Sequence, residues 1–311
     1  MTTNTVDSTV PPGPGESPTP ERERKAERLL RSTAARAYDP DLDIDWDAPL
    51  VEGAPFMKPE RCSLYGTELW ERMTPEQRLT LLRHEAASVA SVGVWFELVL
   101  IRMLAKIAYN GDPTSARIQY TLAEIAEECR HSTMFAKMIE RMGVPAYGVV
   151  PRVHRLGKLL PFLARGEVIW GATLLGEEIP DRLQREMVED ERIQPLMRMV
   201  NRIHIMEEAR HIGFAREELA REVARTPRWL RPLRKALLAH IAFIVSRSLI
   251  HPDVYRSVGL DPRATKKIAL RNPHHQRTLR WAGEKVVAAL DDADLIGRPG
   301  MHWWKASFLV R

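Results

Sequence analysis

Two Glu-x-x-His motifs, Glu128-x-x-His131 and Glu208-x-x-His211, lie inside helix-patterned segments and stand 80 residues apart. At about 3.6 residues per turn, an i, i+3 pair shares one face of a helix. The second motif adds a further histidine, His204, on that same face. Carboxylates and imidazoles stacked toward a core need a partner, because an unpaired buried charge costs several kcal/mol. A metal ion supplies one, and paired motifs of this kind hold carboxylate-bridged di-iron centres in four-helix bundles, where each of the other two helices adds a carboxylate.

The rest of the chain is punctuated to suit such a bundle. Thr74 before Pro75, with Gln77 following, marks the start of a helix that runs to residue 109 and is stopped by Asn110-Gly111-Asp112-Pro113. A second helix is predicted over residues 114–142, ended by Gly143 with Pro145 beyond. A third covers about 167–189, and a fourth 192–225, closed by Pro227. Shorter helices are expected at 153–164, 229–250 and 276–290. No alternating strand pattern, Gly-rich phosphate loop or solenoid-length repeat interrupts this reading, so the fold class is all-α.

The two remaining long helices carry isolated carboxylates. Glu97 interrupts the apolar run at 92–101, and Glu177 or Glu178 interrupts WGATLLGEEI. Glu127 and Glu207 point about 100° away from their neighbouring ligand candidates, as outer partners or surface groups. Glu124, one turn before Glu128, is an outer carboxylate or an alternative ligand. His84, His154, His240, His251, His274, His275 and His302 lack partners at helical spacing and read as structural or exposed.

Composition narrows the setting. The charge of +5 comes from 46 basic and 41 acidic residues mixed along the chain, which argues for solubility and against a nucleic-acid partner. Two cysteines, Cys62 and Cys129, make neither a disulfide framework nor a cysteine zinc site, and a reducing cytoplasm is expected. The start of the chain has no signal-like apolar core, and no stretch is expected to reach the roughly 18 apolar residues of a spanning helix. The basic segment at 229–247 could meet a reductase, an acidic carrier or an anionic membrane, but packing in the bundle is favoured over peripheral membrane contact. Residues 1–21, rich in Pro, Ser and Thr, are expected to be a disordered tail. Residues 22–64 should hold a solvated helix and an extended segment, and 65–311 the metal-binding domain with C-terminal helices.

On these motifs the chain resembles the p-aminobenzoate N-oxygenase family, ferritin-like di-iron oxygenases that convert arylamines to hydroxylamine, nitroso or nitro products. The resemblance covers about residues 65–260, and its specific element is His204, one turn before the Glu-x-x-His unit. It implies seven ligands: Glu97, Glu128, His131, Glu177, His204, Glu208 and His211. Glu177 is preferred to Glu178 because it precedes His204 by 27 residues, as the family pattern requires, with Ile193-Gln194-Pro195 in register and Trp170-Gly171-Ala172 also family-like. The resemblance further implies two iron ions, O2 as co-substrate through a peroxo-bridged intermediate, an external electron donor such as a reductase, and a homodimer. Manganese or mixed Mn/Fe would suit the same ligands. Pro180 removes a helical hydrogen bond to the Gly176 carbonyl, and a kink there would help aim Glu177. Val94, Phe96, Leu100, Leu174 and Leu175 are expected to form a water-poor pocket.

One departure concerns the substrate. The family meets an arylamine carboxylate with polar or basic residues one to two turns before the first glutamate, where this chain has Val89, Val92 and Gly93. A less polar, carrier-bound or lipid-like substrate is therefore expected. Hydroxylation or desaturation of an acyl chain is the alternative reaction, since a fold does not fix chemistry. Iron oxidation and storage is the alternative of another class, and a metal-free helical scaffold is the plain alternative to all three.

Overall fold

The computed structural model describes residues 20–311; the expected tail lies outside them up to residue 19. In chain order the helices are α1 (Pro20–Ala35), α2 (Pro40–Asp43), α3 (Glu68–Glu71), α4 (Pro75–Tyr109), α5 (Ala116–Met142), α6 (Pro151–Leu163) and α7 (Glu167–Val188). They continue with α8 (Pro195–Arg225), α9 (Arg231–Ser248), α10 (Pro262–Arg271), α11 (Pro273–Ala282), α12 (Glu284–Asp292) and α13 (Met301–Ser307). No strand occurs among the described residues.

The four long helices α4, α5, α7 and α8 close into a bundle: α4 packs on α5, α5 on α8, α8 on α7, and α7 back on α4. Their ends follow the expected local chemistry. Thr74 and Gln77 form a reciprocal capping box at the start of α4. At the end of α5, Gly143 takes the left-handed conformation (φ 65°), which a side chain would disfavour. Two apolar clusters fill opposite halves of the bundle. Leu82, Ala86, Phe135, Met138, Met197 and Val200 belong to one, and Leu100, Met103, Tyr120, Leu174, Phe214 and Leu219 to the other. The residues singled out for chemistry fall between these halves on all four helices.

Several expectations need correction. The first helix is docked, not solvated: Ala26 is buried, and Arg22 Nε donates to Glu218 Oε1 at 2.9 Å across to α8. Its charge pattern suggested solvent because Glu218 lies far away in sequence. The segment expected to be extended contains α2, whose N-terminus is capped by the Asp39 side chain. The helix expected at 276–290 is two helices, α11 and α12, meeting at Gly283, and α10 and α13 were not anticipated. One stretch is apolar enough to span a membrane by length and composition, contrary to expectation. It lies in α4, with a mean hydropathy of 1.7, but 61% of it is buried within the protein. That is the signature of a central bundle helix buried on several sides.

α7 remains helical through Pro180. What brings α4 and α7 together is Gly176: a Cβ there would sit 1.8 Å from the Phe96 ring. The glycine lets the ring of Phe96 lie against the α7 backbone, and the next residue on each helix, Glu97 and Glu177, is a carboxylate of the site.

Candidate metal centre

All seven expected residues converge. Ligand atoms of Glu128, His131, Glu208 and His211 lie within 4.8 Å of one another, and so do those of Glu97, His131 and His204, of Glu177, His204 and Glu208, and of Glu97, Glu128 and Glu177. Each of the seven is at most 2% exposed. The overlapping groups form one continuous cluster, with α4 and α7 contributing one carboxylate each and α5 and α8 their paired motifs.

Every histidine of the cluster is held by its outer nitrogen. His131 places Nε2 2.8 Å from Glu207 Oε2, and His211 places Nε2 2.7 Å from Glu127 Oε2. In both, Nδ1 turns inward, 3.0 Å from an oxygen of Glu128 and 3.2 Å from Glu208 Oε1. His204 is reversed: its Nδ1 lies 2.7 Å from Gln184 Oε1, and its Nε2 faces Glu97 and Glu208 at 3.6 and 3.5 Å. A carboxylate or amide oxygen on the outer nitrogen fixes tautomer and ring orientation, leaving the inner lone pair for a metal.

Glu127 and Glu207 are therefore buried outer partners, and the surface reading does not hold for either. Each orients the histidine of the opposite helix, because α5 and α8 run antiparallel with 127 facing 211 and 131 facing 207. Arg210 Nη2 donates to Glu127 Oε1 at 2.6 Å and lies 3.8 Å from Glu207, while Arg130 stands 3.8 Å from both carboxylates. Burial opposes ionisation of Glu127, but His211 and Arg210 outweigh it and hold its pKa below the usual range.

Inside this ring the protein does not supply enough donors. Glu97 Oε2, Glu177 Oε1, Glu208 Oε2 and His204 Nε2 are buried without a hydrogen-bond partner. With only protein present, burial and neighbouring carboxylates push the Glu97 and Glu177 pKa values well above the usual range. Burial works against Glu128 and Glu208 as well, yet the imidazoles hold both below it. Burial lowers His204 to about 4. For His131 and His211 burial acts in the same direction, but the surrounding carboxylates carry both well above the ordinary imidazole value. Such a set fits two divalent cations, whose charge would balance four carboxylates facing three neutral imidazoles.

Glu177 and Glu178 separate by partner. Glu177 enters the cluster, whereas Glu178 takes a two-pronged ion pair from Arg216, at 2.9 Å on each oxygen. Glu124 is fully buried with neither oxygen partnered, and burial raises its pKa to about 8. It stands outside the ligand groups. The seven other histidines also stand outside them, and His275 is buried.

Beside Glu97, Glu177 and His204 opens a pocket of about 970 Å³, counting its mouth. Val89, Val92 and Gly93 line it, together with Phe135, Met138 and Leu249. Of the five residues expected to form a water-poor pocket, Phe96 alone lines this one. Leu100, Leu174 and Leu175 are in the core, and Val94 packs at the edge of the other apolar cluster. A helix turning about 100° per residue sends neighbours in sequence to different faces, so proximity to Glu97 along the chain was a poor guide. Gln184 and Asn201 were missed. The local signal was present in both cases: Gln184 lies two turns beyond Glu177, and Asn201 one turn before His204.

Compared with known proteins, the chain matches the profile of the family p-aminobenzoate N-oxygenase AurF over residues 19–294. It belongs to the p-aminobenzoate N-oxygenase family. The buried Glu/His cluster has the composition and geometry of a site that could hold metal ions. Uncharacterized protein Rv0885 of Mycobacterium tuberculosis and uncharacterized protein Mb0909 of Mycobacterium bovis are each 32% identical to it over 213 residues. Each match takes in 65% of this chain and 62% of the relative's length.

Proposed function

We propose that the protein is an O2-dependent di-iron oxygenase that oxidises an amine nitrogen to a hydroxylamine, nitroso or nitro group, with Glu97, Glu128, His131, Glu177, His204, Glu208 and His211 as the iron ligands. The observation that supports this reading best is the convergence of unpartnered buried carboxylate oxygens and His204 Nε2 on one cluster. Unsatisfied buried polar atoms are costly, and so many in one place call for a cationic guest. When bound and reduced, a di-iron pair supplies the electrons that let O2 react with an organic substrate.

The chain's own residues prepare the site. Glu127, Glu207 and Gln184 accept from the outer nitrogens of His211, His131 and His204, so the inner nitrogens stay unprotonated at the metal positions once metal displaces their protons. Arg130 and Arg210 place positive charge beside both outer carboxylates. Val89, Val92, Phe96 and Phe135 exclude water from the approach to Glu97 and His204. The same apolar lining favours a second reading, hydroxylation or desaturation of a lipid-like or carrier-bound chain. Mn or Mn/Fe occupancy suits the same donors. The reading places the protein in the cytoplasm as a homodimer served by a reductase, with no nucleic-acid partner and a small-molecule substrate.

Iron analysis after anaerobic reconstitution, followed by product analysis under O2 with a panel of arylamines and fatty acyl chains, tests the proposal. About two irons per chain and an N-oxygenated product are expected. A C-hydroxyl or alkene product instead would establish the second reading. Absence of stoichiometric metal would overturn both, and growth of an iron mineral core would point to storage.

A further inference from the structure

The pocket beside Glu97 and His204 has a polar endowment that restricts its ligand. Arg61 is the only Lys or Arg among its lining residues, and its charge is already spent: Nε and Nη2 reach Glu186 at 2.7 and 3.0 Å, and the guanidinium stacks 3.9 Å from the Trp281 ring centroid. Gln184 is committed through Oε1 to His204. Asn201 differs from both. It is 2% exposed, its Nδ2 is buried without a hydrogen-bond partner, and it lines the pocket one helical turn before His204. The nearby lining is apolar, from Val89, Val92, Met138 and Met197.

A buried carboxamide with an idle donor is costly unless something satisfies it. In an apolar pocket the site discriminates strongly by that one hydrogen bond, since a molecule lacking the acceptor leaves the donor stranded. A negatively charged substrate would find no free counter-charge here, and burial would penalise it. We infer that Asn201 is the specificity-determining residue for substrate, and that the pocket takes an uncharged, largely apolar molecule bearing one neutral hydrogen-bond acceptor, such as an ester or amide carbonyl, which receives the Asn201 Nδ2 proton. This rests on the oxygenase reading for the identity of the ligand as a substrate, but the binding preference is a property of the pocket itself.

The test is calorimetric titration of the reconstituted full chain with three probes of similar size: p-aminobenzoate, its ethyl ester and 4-butylaniline. The ester is expected to bind at least about tenfold more tightly than the anion and the alkylaniline, the scale of one hydrogen bond. Asn201→Leu should bring the ester down to the level of 4-butylaniline while leaving 4-butylaniline binding unchanged or improved. Asn201→Ser, which keeps a shorter donor, should fall between the two, and thermal melts of both variants check that the fold is retained. Equal binding of anion and ester, or an ester preference that survives in Asn201→Leu, overturns the inference. If the ester preference holds while the protein takes up no iron, the oxygenase reading fails and the pocket assignment stands; iron uptake with no ester preference gives the reverse.

Discussion

Two buried glutamates on the same helix, Glu208 and Glu218, lie in opposite electrostatic surroundings. Glu218 is ringed by arginines: Arg22 on α1, Arg117 on α5 and Arg221 one turn along α8. Both of its oxygens are occupied by protein donors. Glu208 has Oε2 unpartnered and three other carboxylates of the cluster for neighbours, and among the described residues no lysine or arginine is bonded to any of the four. A carboxylate with its counter-charges built in ties helices together. One that meets imidazoles and other carboxylates instead keeps an oxygen free for a charge from outside.

The contrast is sharpest at Glu208 itself. Glu208→Ala should abolish bound metal and turnover together, while the metal-free protein loses only a few degrees of melting temperature, because the neighbouring carboxylates offset much of what the imidazoles contribute at this position. Metal analysis and calorimetry on the same sample check it; a large fall in metal-free melting temperature would erase the distinction between the two glutamates.

Glu218→Gln should do the reverse, costing roughly 2–4 kcal/mol in denaturant unfolding while the folded protein still binds iron. Burial raises the Glu218 pKa, but Arg22 and Arg117 more than offset it, so the folded value lies below the unfolded one, about 4.3. The stabilisation is therefore complete above about pH 4.3 and is lost as pH falls through the depressed folded value. Acid titration of unfolding should show this loss in the wild type and lack it in Glu218→Gln.

Glu127 belongs between the two extremes, charged and paired like Glu218 yet bonded to His211 of the candidate metal centre. Glu127→Gln keeps shape and removes charge, and should weaken metal binding about 10–100-fold with a smaller effect on folding. Competition with a chelator measures it. An unchanged affinity would mean that Glu127 is only a helix tie.

Much of the architecture could be read along the chain because it is encoded locally. The Thr74/Gln77 box and Gly143 set helix ends through hydrogen bonds and backbone angles within a few residues. The Glu-x-x-His spacings announce their shared faces in the same way. The split at Gly283 was missed because a single glycine inside helical periodicity is weak punctuation. The docking of α1 was missed for a different reason: the partners of Arg22 and Glu23, which are Glu218 and the Ala116 N–H at the start of α5, are far away in sequence.

The sequence by itself determined that four helices each present chemistry on one face, since a helix converts spacing into direction with no outside help. The tertiary structure alone decided which nitrogen of each histidine turns inward, that Glu127 and Glu207 exchange partners across α5 and α8, and that Asn201 is left with an idle donor. Those facts depend on the register and separation of helices packed side by side, and the close approach of Phe96 to Gly176 shows how one missing side chain sets that separation.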